Sequence, residues 1–444
     1  MFSQLAQFVS SIDRFLIFVE QGNGAVSGQR ARNVSETCYR GRYGYRLWKY
    51  ACESGRYAMV GRRRSEWTLA MSFARSTFAA IFLTGFLTSF SDRCGAGEPR
   101  ETDWNKRSVA DYLDARATEW LESRVSNRGN GTSCVACHTG LPYALSRPLL
   151  RRALNEKMPS DAEKQLIAGV RKRVQNWSEI KLYYESSQKK IQQSRGTESI
   201  LNALILANFD AQNGNKQVSD ETKAAFVRMW EEQVKTGPST GAWHWLAFGL
   251  EPWESEVAQY FGASLAAVAV GTAPGGYSDD ASIQAFLTNL RKFLKDKFET
   301  QSLHNRLTAM WADSKIGGVL SKSQKKQLVL KLISQQNEDG GWALSDLGDW
   351  RIESVKSDGY ATGLVAYVMM ESGARRTDEA VSRALSWLAS SQIHQDGPLK
   401  GSWPARSANK ERNPHDDNKF KAFVGKFMYD AAAAYSVLAL TKGE

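Results

Sequence analysis

The chain has 444 residues, 42% of them hydrophobic, with 14 Trp and a formal charge of +11. That is enough apolar material for one large or two ordinary domains with a real core. The charge is uneven, with +7 in residues 1–97 and only +4 in residues 98–444; so ordinary a surface argues against nucleic acid as a partner.

Residues 1–70 are rich in Arg and Gly and carry no sustained helical or alternating pattern. They read as a poorly structured, spurious upstream extension. Residues 71–97, MSFARSTFAAIFLTGFLTSFSDRCGAG, place Met71 and Arg75 before an apolar run, Phe78–Phe90, and the small residues Gly95-Ala96-Gly97. This is the three-part layout of a secretory signal peptide. The run has 13 residues, where a bilayer span needs about 20. A buried helix or an uncleaved anchor is the alternative. The expectation is an exported, periplasmic protein starting at Met71, with no membrane span in its mature chain. Cys38, Cys52 and Cys94 are then lost, and of five cysteines only Cys134 and Cys137 remain.

From residue 105 to 444 helical periodicity dominates, and the segments pair. Ser108–Ser123 pairs with Tyr143–Asn155, Asp161–Tyr184 with Thr197–Phe209, and Asp220–Val234 with Glu254–Val270. Ser282–Phe298 then pairs with Leu303–Ala312, Ser323–Gln336 with Asp358–Met370, and Asp378–Gln392 with Phe427–Leu440. The first member of each pair is charged on one face, as in SKSQKKQL at 321–328, and reads as a solvated outer helix. Second members such as ASLAAVAVG (263–271) and DAAAAYSVLAL (430–440) are apolar nearly all round and must be buried on several sides. Six such hairpins predict one all-α domain, an (α/α)6 toroid with the apolar helices inside. An open solenoid is the alternative.

Three loops share a pattern. Gln336 is followed by Gly340-x-Trp342, Gln392 by Gly401-x-Trp403, and Gln233 by Gly241-x-Trp243. They resemble the Gln–Trp repeat of the squalene–hopene cyclase, oxidosqualene cyclase and prenyltransferase toroid superfamily. The resemblance spans about residues 105–444. It implies that each Gln and Trp ties an outer helix to the neighbouring loop. It also implies an isoprenoid-like apolar substrate, for which Trp243, Trp245, Trp253, Tyr260, Trp342, Tyr360 and Trp403 are candidate lining; the alternative, which aromatic stripes favour, is that Trp342 and Trp403 are the staples and the rest are core. The Asp-x-Asp-Asp acid of squalene–hopene cyclases is absent here. Acidic residues recur instead near the starts of inner helices, at Glu198, Glu254, Asp358 and Asp430. They are either helix-dipole partners or an acid–base set, with Asp358 the first candidate for a catalytic acid.

The first hairpin loop, NGTSCVACHTG (130–140), carries Cys134-x-x-Cys137-His138. Two thiols three apart can bond one haem while the adjacent His reaches its iron. A redox dithiol, a zinc site completed by histidines and a tight disulfide are the alternatives. Trp243 and Trp245 flank His244, the first candidate for a distal haem ligand. All five histidines lie in or beside outer-to-inner connections, where they could cluster. The reading is an exported toroid with one haem c, acting in electron transfer or haem-dependent oxidation with a redox partner. A terpenoid-cyclase-like enzyme or a binding protein for an apolar small molecule, without haem, is the alternative.

Overall fold

Ser, Asn and Asp residues at the ends of loops start the helices. Ser160 opens α3 (Asp161–Gln175) with a capping box, its hydroxyl taking the Glu163 N–H while the Glu163 carboxylate takes the Ser160 N–H. Ser321 and Gln324 do the same for α9 (Lys322–Ser334). Asn105 caps α1 (Lys106–Glu122) and Ser219 caps α5 (Asp220–Glu231). The computed structural model describes residues 104–350, 356–410 and 412–443, which all fall within one compact unit, Gly97–Glu444. The proposed extension (1–70) and signal-like segment (71–97) lie outside the described residues.

The remaining helices are α2 (Leu141–Ala153), α4 (Gln188–Gln212), α6 (Gln259–Thr272), α7 (Gln284–Lys297), α8 (Leu303–Ile316), α10 (Gly359–Glu371), α11 (Glu379–Ser390), α12 (Lys419–Gly425) and α13 (Phe427–Thr441). The protein is all-α, with no strand among the described residues and only isolated bridges. Two inner helices differ from the expected bounds. Helix α4 begins at Gln188 rather than near Thr197, because Ser187 supplies the cap. Helix α6 begins at Gln259 rather than Glu254, because Leu250 and Glu254 exchange backbone bonds of 2.8 and 3.1 Å around a cis Glu251–Pro252 peptide.

The apolar helices bury almost every side chain, as in α6, α10 and α13. Helix α2 packs on α4, α4 on α6, α6 on α8, α8 on α10 and α10 on α13, and α13 packs on α2. The amphipathic helices lie against them: α1 on α2, α3 on α4, α7 on α6 and α11 on α10.

The three Gln–Trp loops make identical bonds. Gln233 Nε2 donates to Gly241 O and to Phe286 O of α7, both at 3.1 Å. Gln336 Nε2 donates to Gly340 O (2.7 Å) and to Ala380 O of α11 (2.8 Å). Gln392 Nε2 donates to Gly401 O and to Asn105 O, the cap of α1, both at 3.1 Å. Each Trp indole donates back to the preceding outer segment: Trp243 to Met229 O (2.6 Å), Trp342 to Leu332 O (2.8 Å) and Trp403 to Leu388 O (2.6 Å). The shared glycine is a double requirement. Gly241, Gly340 and Gly401 have φ of 92°, 96° and 90°, which disfavours any Cβ. A Cβ on Gly241 would lie 2.1 Å from Asn289 O, and one on Gly401 2.2 Å from Ser108 O. These loops therefore touch the next outer helix backbone to backbone. These seven aromatic rings, Trp243, Trp245, Trp253, Tyr260, Trp342, Tyr360 and Trp403, are all buried. No helix among the described residues is long and apolar enough to cross a membrane.

Candidate functional site

The Cys134–His138 loop is built between α1 and α2. Asn127 and Ser133 pair as an antiparallel bridge, and Cys134 N donates to Ser126 O at 2.8 Å. The Trp120 indole of α1 donates to Cys134 O (2.6 Å), and Val135 N to the Tyr183 hydroxyl (3.1 Å). Ala136, between the cysteines, has φ +63°, a left-handed conformation that costs an L-residue about 1–2 kcal/mol. A wide turn, Ala136–Gly140, then runs directly into α2. Gly140 has no room for a side chain, since a Cβ there would lie 2.0 Å from Val135 O.

Both cysteines are free and buried, so they are not joined as a disulfide. Burial pushes the Cys134 thiol up to about 12 and the Cys137 thiol well above its usual value. That is the opposite of a nucleophilic dithiol, which needs an electropositive, partly exposed site. Among the described residues no three His, Cys, Asp or Glu side chains come together as a metal site, which leaves the zinc alternative without support.

His138 is boxed by aromatic rings. Phe427 stacks on it at 3.8 Å, Trp120 meets it edge-on at 5.0 Å, and Trp253 lies at 6.3 Å. Burial holds its imidazole down, at about 3, so the ring is neutral. Its tautomer follows from the bonds around it. Thr139 Oγ1 donates its one proton to Asp430 Oδ2 at 2.7 Å, and His138 Nδ1 lies 2.7 Å from the same oxygen. Nδ1 is therefore the donor, and Nε2 keeps its lone pair. Asp430 is fixed in turn by Arg116 at 2.7 and 2.9 Å and by the Tyr112 hydroxyl at 2.9 Å. Two free thiols and a neutral imidazole with an unspent Nε2 are the donor types that a covalent haem uses.

The four acidic residues have different surroundings. Glu198 sits inside α4 rather than at its start, because that helix begins earlier than expected. It forms a bidentate pair with Arg173 of α3 (2.5 and 2.9 Å), and both side chains are fully buried. Asp430 lies in the first turn of α13 and pairs with Arg116. Glu254 precedes α6 by a turn, and desolvation pushes its carboxyl up to about 7. Asp358 is the N-cap of α10: Oδ1 accepts from Ala361 N (2.9 Å) and Oδ2 from Leu344 N (2.6 Å). Burial pushes it up to about 7 against the pull of those N–H groups.

A carboxyl raised in the folded state stabilises most below its unfolded pKa, near 4, and that contribution is lost as pH rises through about 7. Asp358→Asn should therefore flatten the decline in melting temperature between about pH 4 and 7. An unchanged slope would mean that Asp358 is ionised throughout.

The structure does not bring the histidines together. His244, His394 and His415 are exposed, while His304 is fully buried in α8. His244 makes no ring or hydrogen-bond contact with His138. Trp245 beside it points its indole N–H to Trp253 O (2.8 Å), and Trp243 is spent on its staple. The residues around His138, namely Trp120, Thr139, Trp253 and Phe427, with Asp430 behind Thr139, come from the start, middle and end of the described chain, where no sequence spacing could group them. No protein-family model matches the chain, and no curated protein matches it.

Proposed function

We propose that this chain is an exported (α/α)6 toroid carrying one c-type haem, held through Cys134 and Cys137 with His138 on the iron, for electron transfer or haem-dependent oxidation with a redox partner. The observation that carries the reading is His138. Its Nδ1 is spent on Thr139, which is fixed by Asp430 and through it by Arg116, and this leaves the Nε2 lone pair unspent in the loop that carries the two free thiols. A carboxylate behind a ligating histidine sets tautomer and orientation in the same way at metal centres. The closed toroid is supported by the return of α13 onto α2 and by the Gln392 staple reaching back to Asn105. Export is supported by the layout of residues 71–97 alone.

When bound, such a haem supplies one-electron chemistry at its iron. The chain's own part is to hold and shield it. Cys134 and Cys137 anchor the macrocycle, Thr139 keeps the proton of His138 on Nδ1, and Trp120, Phe423 and Phe427 exclude water. Because both thiols are buried in the folded chain, attachment would have to precede folding of the loop.

The chain expressed from Met71 in a host that matures c-type haem should give a pyridine haemochrome of one haem per chain. The stain should survive a denaturing gel and vanish in Cys134→Ala with Cys137→Ala. A colourless protein whose two thiols react freely after unfolding would sink the reading. The second reading, an enzyme on an apolar isoprenoid-like substrate with Asp358 as acid, is favoured by the near-neutral titration of Asp358. Both its oxygens are spent on backbone N–H groups, so the first reading is preferred. Turnover that survives the cysteine substitutions and is lost in Asp358→Asn would reverse that preference.

A further inference from the structure

Beyond the cysteine loop, the inner helices hold a second set of polar groups with no part in holding the haem. His304 of α8 and Tyr360 of α10 are both fully buried, and His304 Nε2 lies 2.7 Å from the Tyr360 hydroxyl. The Trp253 indole donates to the same hydroxyl at 2.9 Å.

The proton positions are determined by the partners. Asn305 Nδ2 donates to Gln301 Oε1 at 3.0 Å, which turns Asn305 Oδ1 toward His304 Nδ1 at 3.3 Å. A carbonyl oxygen only accepts, so His304 Nδ1 carries the proton and Nε2 is bare. An indole N–H only donates, so the Tyr360 oxygen accepts from Trp253 and its own proton points at His304 Nε2. The result is a phenol donating to a neutral imidazole, sealed from water by Phe261, Trp350 and Tyr435 at ring separations of 5.2–5.9 Å.

We infer that Tyr360 is a redox-active tyrosine, oxidised by one electron while its proton passes to His304. The electron leaves to a high-potential metal-complex oxidant of the ruthenium(III) polypyridine class, which becomes ruthenium(II), and the hydroxyl proton moves along the existing 2.7 Å hydrogen bond to Nε2. Phenol and imidazole become phenoxyl radical and imidazolium, and the pair gains one positive charge. Re-reduction returns the electron and the proton. A proton acceptor within hydrogen-bond reach removes the need to eject a proton into an apolar interior. Burial holds His304 down, at about 4, which keeps it unprotonated and ready to accept at neutral pH. Oxidised phenol is a far stronger acid than this imidazolium, so the proton still transfers, and it returns readily on reduction.

The site is wired to the cysteine loop through one ring. Trp253 stands 5.2 Å from Tyr360 and 6.3 Å from His138 between ring centroids. The inference rests on the Tyr360–His304–Trp253 geometry and holds with or without haem at His138.

The test uses the full chain as purified, with haem content measured on the same sample. A photogenerated ruthenium(III) tris-bipyridine complex serves as oxidant, and the product is trapped for electron paramagnetic resonance in protein carrying ring-deuterated tyrosine. The expected result is a tyrosyl signal that narrows with the label and falls at least about tenfold in Tyr360→Phe and in His304→Gln, the scale of a lost positioned proton acceptor. Circular dichroism establishes that the variants fold. On the wild type, which needs no variant, electron–nuclear double resonance should find an exchangeable proton hydrogen-bonded to the radical. No tyrosyl signal in the wild type, or one unchanged in Tyr360→Phe, overturns the proposal. A signal lost in Tyr360→Phe but unchanged in His304→Gln overturns the proton transfer to His304.

Discussion

Arg173→Met should cost about 3–5 kcal/mol of stability, because it strands a carboxylate in the protein interior. Arg173 spends all three guanidinium nitrogens. Two bind Glu198 (2.5 and 2.9 Å), one of which also donates to Lys181 O (2.7 Å), and the third donates to Thr132 Oγ1 (2.8 Å). Outer helix α3, inner helix α4 and the loop before Cys134 are thus tied at one side chain. Met fills most of the volume but leaves Glu198 without its cation. The double variant Arg173→Met with Glu198→Leu should recover most of the loss, since an apolar pair of similar volume often replaces a buried ion pair at little cost. Urea unfolding of the three proteins measures this. A double variant no more stable than Arg173→Met would mean that the Thr132 and Lys181 bonds, not the charge, carry the effect.

Trp403→Ala should cost a similar amount, about 3–5 kcal/mol, the usual range for emptying a buried Trp site. Its ring is fully buried, donates to Leu388 O, and lies 6.2 Å from Trp104 between ring centroids. Trp403→Phe keeps much of the apolar contact and should lose mainly the hydrogen bond, about 1 kcal/mol. Trp403 belongs to the loop whose Gln392 reaches Asn105 at the start of α1. Hydrogen exchange should therefore speed up in α1, nearly 300 residues away in sequence, as well as in α11. Faster exchange in α11 with α1 unchanged would argue for an open solenoid instead of a closed ring.

Much of this architecture is legible along the chain. Each helical pair leaves a local pattern: a charged outer face as in 321–328, an apolar partner as in 430–440, and a Ser, Asn or Asp at the start. The Gln-to-Gly-x-Trp loops are legible for the same reason, since the Gln-to-Gly and Trp bonds close within 4–15 residues and need Gly at φ near +90°. Helix bounds were less legible at α4 and α6, where a Ser187 cap and a bridge at Leu250–Glu254 override the apolar pattern.

The cysteine motif was visible as five residues, but its surroundings were not. Thr139 lies beside His138 in sequence, yet its significance depends on Asp430, whose partner Arg116 is more than 300 residues away. His244, flanked by two Trp, resembles a ligand in sequence and is exposed in the structure, while His304 is fully buried. By itself the sequence determined the all-α class, the alternation of amphipathic and apolar helices, the staple loops and the Cys134-x-x-Cys137-His138 spacing, because each is encoded within a few turns of chain. Only the tertiary structure decided which imidazole nitrogen is free, which carboxylates are paired and which tyrosine faces a histidine. Those depend on hydrogen bonds between helices far apart in sequence, and a hydrogen bond's donor and acceptor are known only when both ends are in place.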